Sequence, residues 1–551
     1  MHNHLVPTLF LLVGPALYLG YRLRLFESAR GRWIGGGAML AAVALSLPYE
    51  GVDFLYVKRL NFFIAAAVAI VLLLRHLGLI RNRGRYLAAL VACAVISVVV
   101  YCNFFSFHGA RTFIHLHDVA HYYLGSKYYA ELGYADLYTA MLRAEAELYD
   151  NRFKAIEARD LATYDRVHIR ELLVRSEPVK AAFTPLRWDD FKRDVALFRE
   201  ALGPHWGGVL LDHGFNPTPV WALVGGTLSQ RVPPGSRRGI LVLCLLDVVL
   251  LAAVCAAIGW AFGRWALVLS LIHFCVIFGT NFGWTGGAFL RYLWFFGVVV
   301  GICCLHRRHH AAAGALVALA AMLRIFPVLF VVPIACKAVA VSWRRRRMPR
   351  RYVAFLGSFA VTAGVLFALT GLLPRGWQHW GEFRDNMERH VENISPNVVG
   401  LTEILSHGGG PEKVTQEQFN ALKARRQRIY TAQLVLVFLP ALLVVARLSR
   451  WQTDVGAALL ALPLLFLGLS LGSYYYVFLI LLVLLFRNRP QYLALIFAIE
   501  VAAYGLMLFE DREGLLYVYR SVLILLLYLA LWLEPIRREL RFAAAHIPKS
   551  L

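Results

Sequence analysis

Apolar runs long enough to cross a bilayer recur through this 551-residue chain, and they constrain its fold more than any other feature. A bilayer core of about 30 Å takes roughly 20 residues of helix, and its lack of water forces each spanning segment to satisfy its own backbone. Runs that meet or approach this length lie near 5–20, 35–48, 61–79, 87–105, 216–230, 239–258, 265–281, 287–305, 311–341, 352–373, 430–447, 455–471, 474–487, 490–509 and 515–533. The expected fold is therefore an all-α polytopic membrane protein. The first run lacks a small-residue cleavage site before the next basic stretch, so it reads as a retained helix.

The formal charge of +23 does not point to nucleic acid, because the basic residues sit in short connections such as Arg22 to Arg32, Arg81 to Arg85, Arg344 to Arg351 and Arg537 to Arg541. By the positive-inside rule these face the cytoplasm. Two long loops differ: residues 106–215 carry 14 Lys/Arg against 16 Asp/Glu, and residues 374–427 carry 7 against 7. Both are expected on the outer side, which puts Asp118 outside. Between Pro217 and His306 the parity fails by one crossing, and the Gly-rich stretch at 279–287 is the expected place for irregular backbone lining a cavity. All eight cysteines fall in apolar segments, so no disulfide framework or cysteine metal site is indicated. The chain divides into N-terminal helices (1–86), a membrane module (87–373) that includes outer loop 106–215, a second outer loop (374–427) and C-terminal helices (428–551).

The most informative polar stretch follows Phe105: His117-Asp118-Val119-Ala120-His121-Tyr122-Tyr123, then Gly125, Lys127, Tyr129 and Gly133 to Tyr138. On a helix, Asp118, Tyr122, Gly125 and Tyr129 share one stripe with His121 at its edge, which is a floor for a site or an interfacial helix anchored by tyrosines. His117 and His121, four apart, open the question of a divalent metal, but no third ligand is fixed. The residues from Asp136 to about Leu173 lack proline and glycine and read as helix. Trp188, Phe191, Val195, Phe198 and Leu202 form a stripe that suits either the loop's own globule or the membrane interface; the re-entry at Asn216-Pro217-Thr218-Pro219 close by favours the interface, where the helix would gate the site.

Ionisable residues inside apolar segments are costly and default to functional hypotheses. Arg324, before Pro327, sits midway through a segment that must go out and return, which places it at the outer turn as either a phosphate ligand or half of a salt bridge. Arg291, after the Gly-rich turn, is a second phosphate candidate or a snorkelling cation. His273 and Asp247 read as packed polar core residues. His379, His390 and Tyr475 lie at other expected outer boundaries.

Asp118, Tyr122-Tyr123, Gly125 and Gly133 to Tyr138, followed by Asn216-Pro217, the Gly-rich turn at 283–287, Arg324 before Pro327 and Asn393 to Asn397, together resemble the GT-C integral-membrane glycosyltransferases. Within these, the pattern over residues 87–487 is similar to glycosyltransferase family 87. The resemblance implies a GT-C-like helical bundle that transfers a sugar, most simply a mannose-like hexose, with inversion. The implied donor is a polyprenyl-phosphate sugar and the implied acceptor a hydroxyl of a glycolipid or cell-envelope glycan. It places the reaction on the extracytoplasmic face of a bacterial inner membrane, among membrane lipids and without nucleic acid. It makes Asp118 the general base, puts the donor phosphate at Arg324 and Arg291, and leaves His121, Tyr122, Tyr123, Lys127, His379 and Tyr475 to line the substrates. No cofactor is required, with a divalent metal left open. The competing readings are an O-antigen ligase or polymerase relying on Arg384, Arg389 and His390, and a lipid or solute transporter, for which internal repeats are expected and none is seen.

Overall fold

The computed structural model describes residues 54–545 apart from 110–111, 393–396, 408–415, 508 and 511. The expected spans at 5–20 and 35–48, and most of the Asn393 to Asn397 motif, lie outside the described residues. Seven described helices are long and apolar enough to cross a membrane: Leu55–His76, Arg83–Tyr101, Arg237–Phe262, Phe326–Arg345, Arg350–Leu372, Ala421–Ser449 and Glu513–Trp532. Shorter apolar helices fill the gaps between them, and the protein is an all-α polytopic membrane protein.

The elements that position the site begin with α1 (Phe54–His76) and α2 (Arg83–Tyr101), the latter started by Asn82, whose side chain accepts from Arg85 N. The loop of residues 106–215 contains α3 (Leu116–Lys127), α4 (Leu137–Tyr149) and α5 (Pro185–Leu202). A two-stranded hairpin of β1 (Glu157–Arg159) and β2 (Arg166–His168) lies between α4 and α5. The chain then enters α6 (Pro219–Ser229), with Thr218 capping and Pro219 in the first turn, followed by α7 (Arg237–Phe262) and α8 (Arg264–Val276). Irregular backbone over 277–292 leads to α9 (Leu293–His306), as expected for the Gly-rich stretch.

The next apolar segment is a helical hairpin of α10 (His310–Leu323) and α11 (Val331–Arg345). Arg324 is extended, at φ −146° and ψ 116°, and Pro327 lies in the short 3-10 turn beyond it. Pro327 cannot donate to the carbonyl of Leu323 four residues back and its ring crowds that carbonyl, so the helix ends at Leu323, where the sequence places the break. Far from that turn, Asp454 accepts from Lys337 Nζ at 2.6 Å on α11 and meets His310 Nε2 at 3.2 Å on α10. Each leg is 13 or 14 residues from Arg324, so the clamp lies about 20 Å from the turn.

Two expectations for the outer loop are corrected. The helix expected to run from Asp136 to about Leu173 stops at Tyr149, because Asp150 and Asn151 take left-handed backbone (φ 51° and 57°), which short polar side chains tolerate, and the hairpin follows. The stripe on α5 does not face lipid. Trp188, Phe191, Val195 and Phe198 are buried against Phe183, Tyr128 and Tyr123 within the loop's own core. The helix therefore does not lie in the interface as a gate; periodicity marked an apolar face without saying what covers it.

What holds α5 in place is a buried charge. Asp194, fully enclosed, accepts from Lys127 Nζ (2.8 Å), Tyr128 Oη (2.8 Å), Tyr123 Oη (3.4 Å) and Gly235 N (2.7 Å). Lys127 Nζ also donates to Val232 O at 2.9 Å. Tyr123 and Lys127, expected to line substrate, are thus committed to fastening α3 to α5. Removing one partner of a buried pair strands the other charge and costs about 3–5 kcal/mol. Asp194→Ala should lower the melting temperature and unfolding free energy on that scale, whereas joint replacement of Lys127 by Met and Asp194 by Leu should recover much of the loss.

Candidate active site

The site is assembled where α3 begins. His115 N donates to Gly287 O at 2.9 Å, so the Gly-rich stretch runs alongside the entry to the helix. Gly287 has φ +67°, and a Cβ there would stand 1.8 Å from Phe113 O, so no other residue fits this approach. Gly287→Ala must push the start of α3 aside. An activity loss of about 100-fold is expected from a displacement near 1 Å, read as kcat on protein that still purifies as wild type.

Just beyond, Asp247 on α7 accepts from the backbone N–H groups of Arg291 and Tyr292, both at 3.1 Å. This anchors the irregular chain to a long helix and fixes where Arg291 starts. Arg291 Nη2 donates to Asp118 Oδ1 in the first turn of α3, and its guanidinium lies 5.1 Å from the centre of the Tyr474 ring. No other hydrogen bond reaches the Asp118 carboxylate among the described residues, so Oδ2 has no partner, in a side chain that is 15% exposed. One turn along the same face, Tyr122 Oη accepts from Arg324 Nη2 at 3.0 Å and donates to Asn216 Oδ1 at 3.3 Å. The Arg324 guanidinium is also 5.7 Å from the Tyr475 ring centre. Among the described residues no carboxylate pairs with Arg324, so a structural salt bridge does not account for its charge.

Asp118, Tyr122, Arg291, Arg324 and Tyr475 thus meet in one place. Two arginines engage successive turns of α3, about 5–6 Å apart between side-chain origins, one on the carboxylate and the other on a phenol. His379 is placed elsewhere: it is fully buried on α12 (Gln378–Glu392), with Nδ1 3.0 Å from Glu382 Oε2 and its ring 4.5 Å from Tyr129. His121 is buried behind Asp118, with Nε2 near Val209 O and Tyr138 Oη. Arg384 is 72% exposed and pairs with Asp385 beside it.

A second polar cluster lies between the outer loops. Tyr164 Oη donates to Asn386 Oδ1 at 3.3 Å, and its ring contacts those of His213 and His390. Burial, with His213 alongside, pushes the His390 imidazole down to about 3, so it is neutral there. His213 Nδ1, His390 Nδ1, Asn386 Nδ2 and Arg389 Nε are buried without a hydrogen-bond partner among the described residues. Sequence reasoning missed Tyr164, Asp212, His213 and Asn386, of which only Asp212 and His213 carried a local signal, their proximity to Asn216-Pro217, and it named Asp247 only as a packed core residue.

Residues 219–471 match glycosyltransferase family 87. Over this stretch the chain resembles the glycosyltransferases of that family. The matched part of this transferase includes Asp247, Arg291 and Arg324; Asp118 and Tyr122 precede it, and Tyr474 and Tyr475 follow it. No curated protein and no solved structure matches the chain.

Proposed function

We propose that this membrane glycosyltransferase moves a mannose-like hexose from a polyprenyl phosphate to a hydroxyl of a glycolipid or cell-envelope glycan, with inversion, on the extracytoplasmic face of a bacterial inner membrane. The observation that carries the reading is the joint placement of an unpartnered carboxylate oxygen on Asp118 and a guanidinium, Arg324, that has no acidic partner among the described residues. In the step, the acceptor hydroxyl gives its proton to Asp118 Oδ2 as its oxygen bonds to the anomeric carbon. The bond from that carbon to the phosphate oxygen breaks, and its electron pair leaves on the phosphate. Arg324 meets that growing negative charge, and cations fixed in advance at such a position are worth far more than in water.

Arg291 has a different part. Its bond to Asp118 Oδ1 aims the carboxylate, which commits it to the base, so it can steady the phosphate only from beside the base. The tyrosines at 122, 474 and 475 supply flat apolar faces and hydroxyls, a suitable wall for a sugar ring. The cluster around Tyr164, with its neutral histidine, amide and guanidinium, suits the hydroxyls of a glycan acceptor arriving from the water side. The test is depletion of the protein in its host followed by lipid analysis. Accumulation of a hexosyl polyprenyl monophosphate is expected; accumulation of a pyrophosphate-linked oligosaccharide instead would replace this reading with a ligase or polymerase.

A further inference from the structure

The folded loop supplies the ligand that the sequence left open beside His117 and His121. Asp212, just before the return to the membrane, turns its carboxylate to α3, with Oδ2 3.1 Å from His117 Nε2. The rings of His117 and His121 are centred 5.3 Å apart, and the nearest ligand atoms of the three residues lie within 4.8 Å of one another. We propose that His117, His121 and Asp212 form a binding site for one divalent transition-metal ion, with zinc as the best fit.

Three features support it. Zinc binds imidazole nitrogen and carboxylate oxygen at about 2.0–2.2 Å, which sets neighbouring ligands on one ion roughly 3–3.5 Å apart. His117 and Asp212 already stand at that separation, and an ion would replace the proton they share. Their side chains are 38% and 42% exposed, so they can rotate inward and leave the remaining coordination positions open to water or to a substrate oxygen.

His121 is prepared in a different way. It is 2% exposed, and its Nε2 is 3.0 Å from Val209 O and 2.8 Å from Tyr138 Oη. A carbonyl oxygen can only accept, so Nε2 carries the hydrogen and Nδ1 keeps its lone pair. Metal-bound histidines are held this way, with the far nitrogen donating to a carbonyl and the near one presented to the ion. Tyr138 is itself fixed by the Gly214 N–H at 3.0 Å, so the support runs back to the segment that carries Asp212. The chemistry of the donor set also selects the ion. Two imidazoles and one carboxylate favour zinc and its first-row neighbours, whereas magnesium and calcium prefer all-oxygen cages.

The site lies one residue from Asp118 on the same helical turn, about 100° around α3 and towards the 209–214 segment. Metal binding there does not depend on the transferase reading and can be measured without turnover. The full chain is purified with a tag free of histidine, stripped with chelator, and titrated with zinc while bound metal is counted by mass spectrometry. The expected result is one more equivalent of tightly bound zinc in wild type than in His117→Ala, unaffected by a large excess of magnesium. Asp212→Ala should weaken binding at least tenfold, with the melting temperature of both stripped variants close to wild type. Cobalt in place of zinc should give visible absorption bands in wild type only. Should either alanine variant fold poorly, His117→Cys decides the matter, because a thiolate on cobalt adds a strong near-ultraviolet band. Equal zinc counts in wild type and His117→Ala, or a cobalt spectrum indifferent to His117→Cys, would overturn the proposal.

Discussion

Asp118→Asn should reduce turnover by about 10²–10⁴-fold, the usual contribution of a positioned general base, while donor binding changes little. Asparagine keeps the size of the side chain, and its oxygen can still accept from Arg291 Nη2, so the start of α3 and the guanidinium should remain where they are. What is lost is the ability of the second oxygen to take a proton. The expected signature is a fall in kcat with KM for the donor nearly unchanged, measured with a radiolabelled polyprenyl-phosphate sugar and purified protein. Turnover equal to wild type would remove Asp118 from the chemistry and return attention to the histidines around Tyr164.

Arg324→Met should abolish measurable donor binding, and Arg324→Lys should keep part of it. Methionine preserves the unbranched apolar stem beside Tyr475 but removes the charge and the hydrogen bond to Tyr122 Oη. Lysine restores the charge as a single point without the fork that grips two phosphate oxygens. The order wild type, Lys, Met is therefore expected in affinity for the lipid phosphate, with the first step about tenfold and the second larger, on the scale of a charge-assisted hydrogen bond. Binding of an unhydrolysable donor analogue to protein in lipid nanodiscs is the direct measurement. Equal affinity in wild type and Arg324→Met, with the variant folded, would show that the phosphate is held elsewhere.

Legibility in the sequence followed the range of each signal. Arg324 stood out because a charge in an apolar run before proline is conspicuous within a few residues, and the break in the hairpin falls there. The Gly-rich stretch was visible for the same reason, though the partner that demands Gly287 lies at Phe113, far upstream. Apart from the helix that stops at Tyr149, the failures needed a distant partner. Lys127 looked free until Asp194 met it from 67 residues away. The apolar stripe of α5 was real, but its cover is the rest of the outer loop rather than lipid, and amphipathic spacing is the same in both cases. Asp247 read correctly as buried and polar, yet its task of tethering the Arg291 backbone depends on a turn that periodicity does not describe.

The bond between Asp118 and Arg291 also joins two parts of the chain, one outside the family match and one inside it. Arg291 lies inside the stretch that matches the family, and Asp118 lies ahead of it, in a loop with its own small core. A change anywhere in that loop that shifts the start of α3 therefore reaches the arginine directly, and the arginine acts as the socket into which the loop must plug.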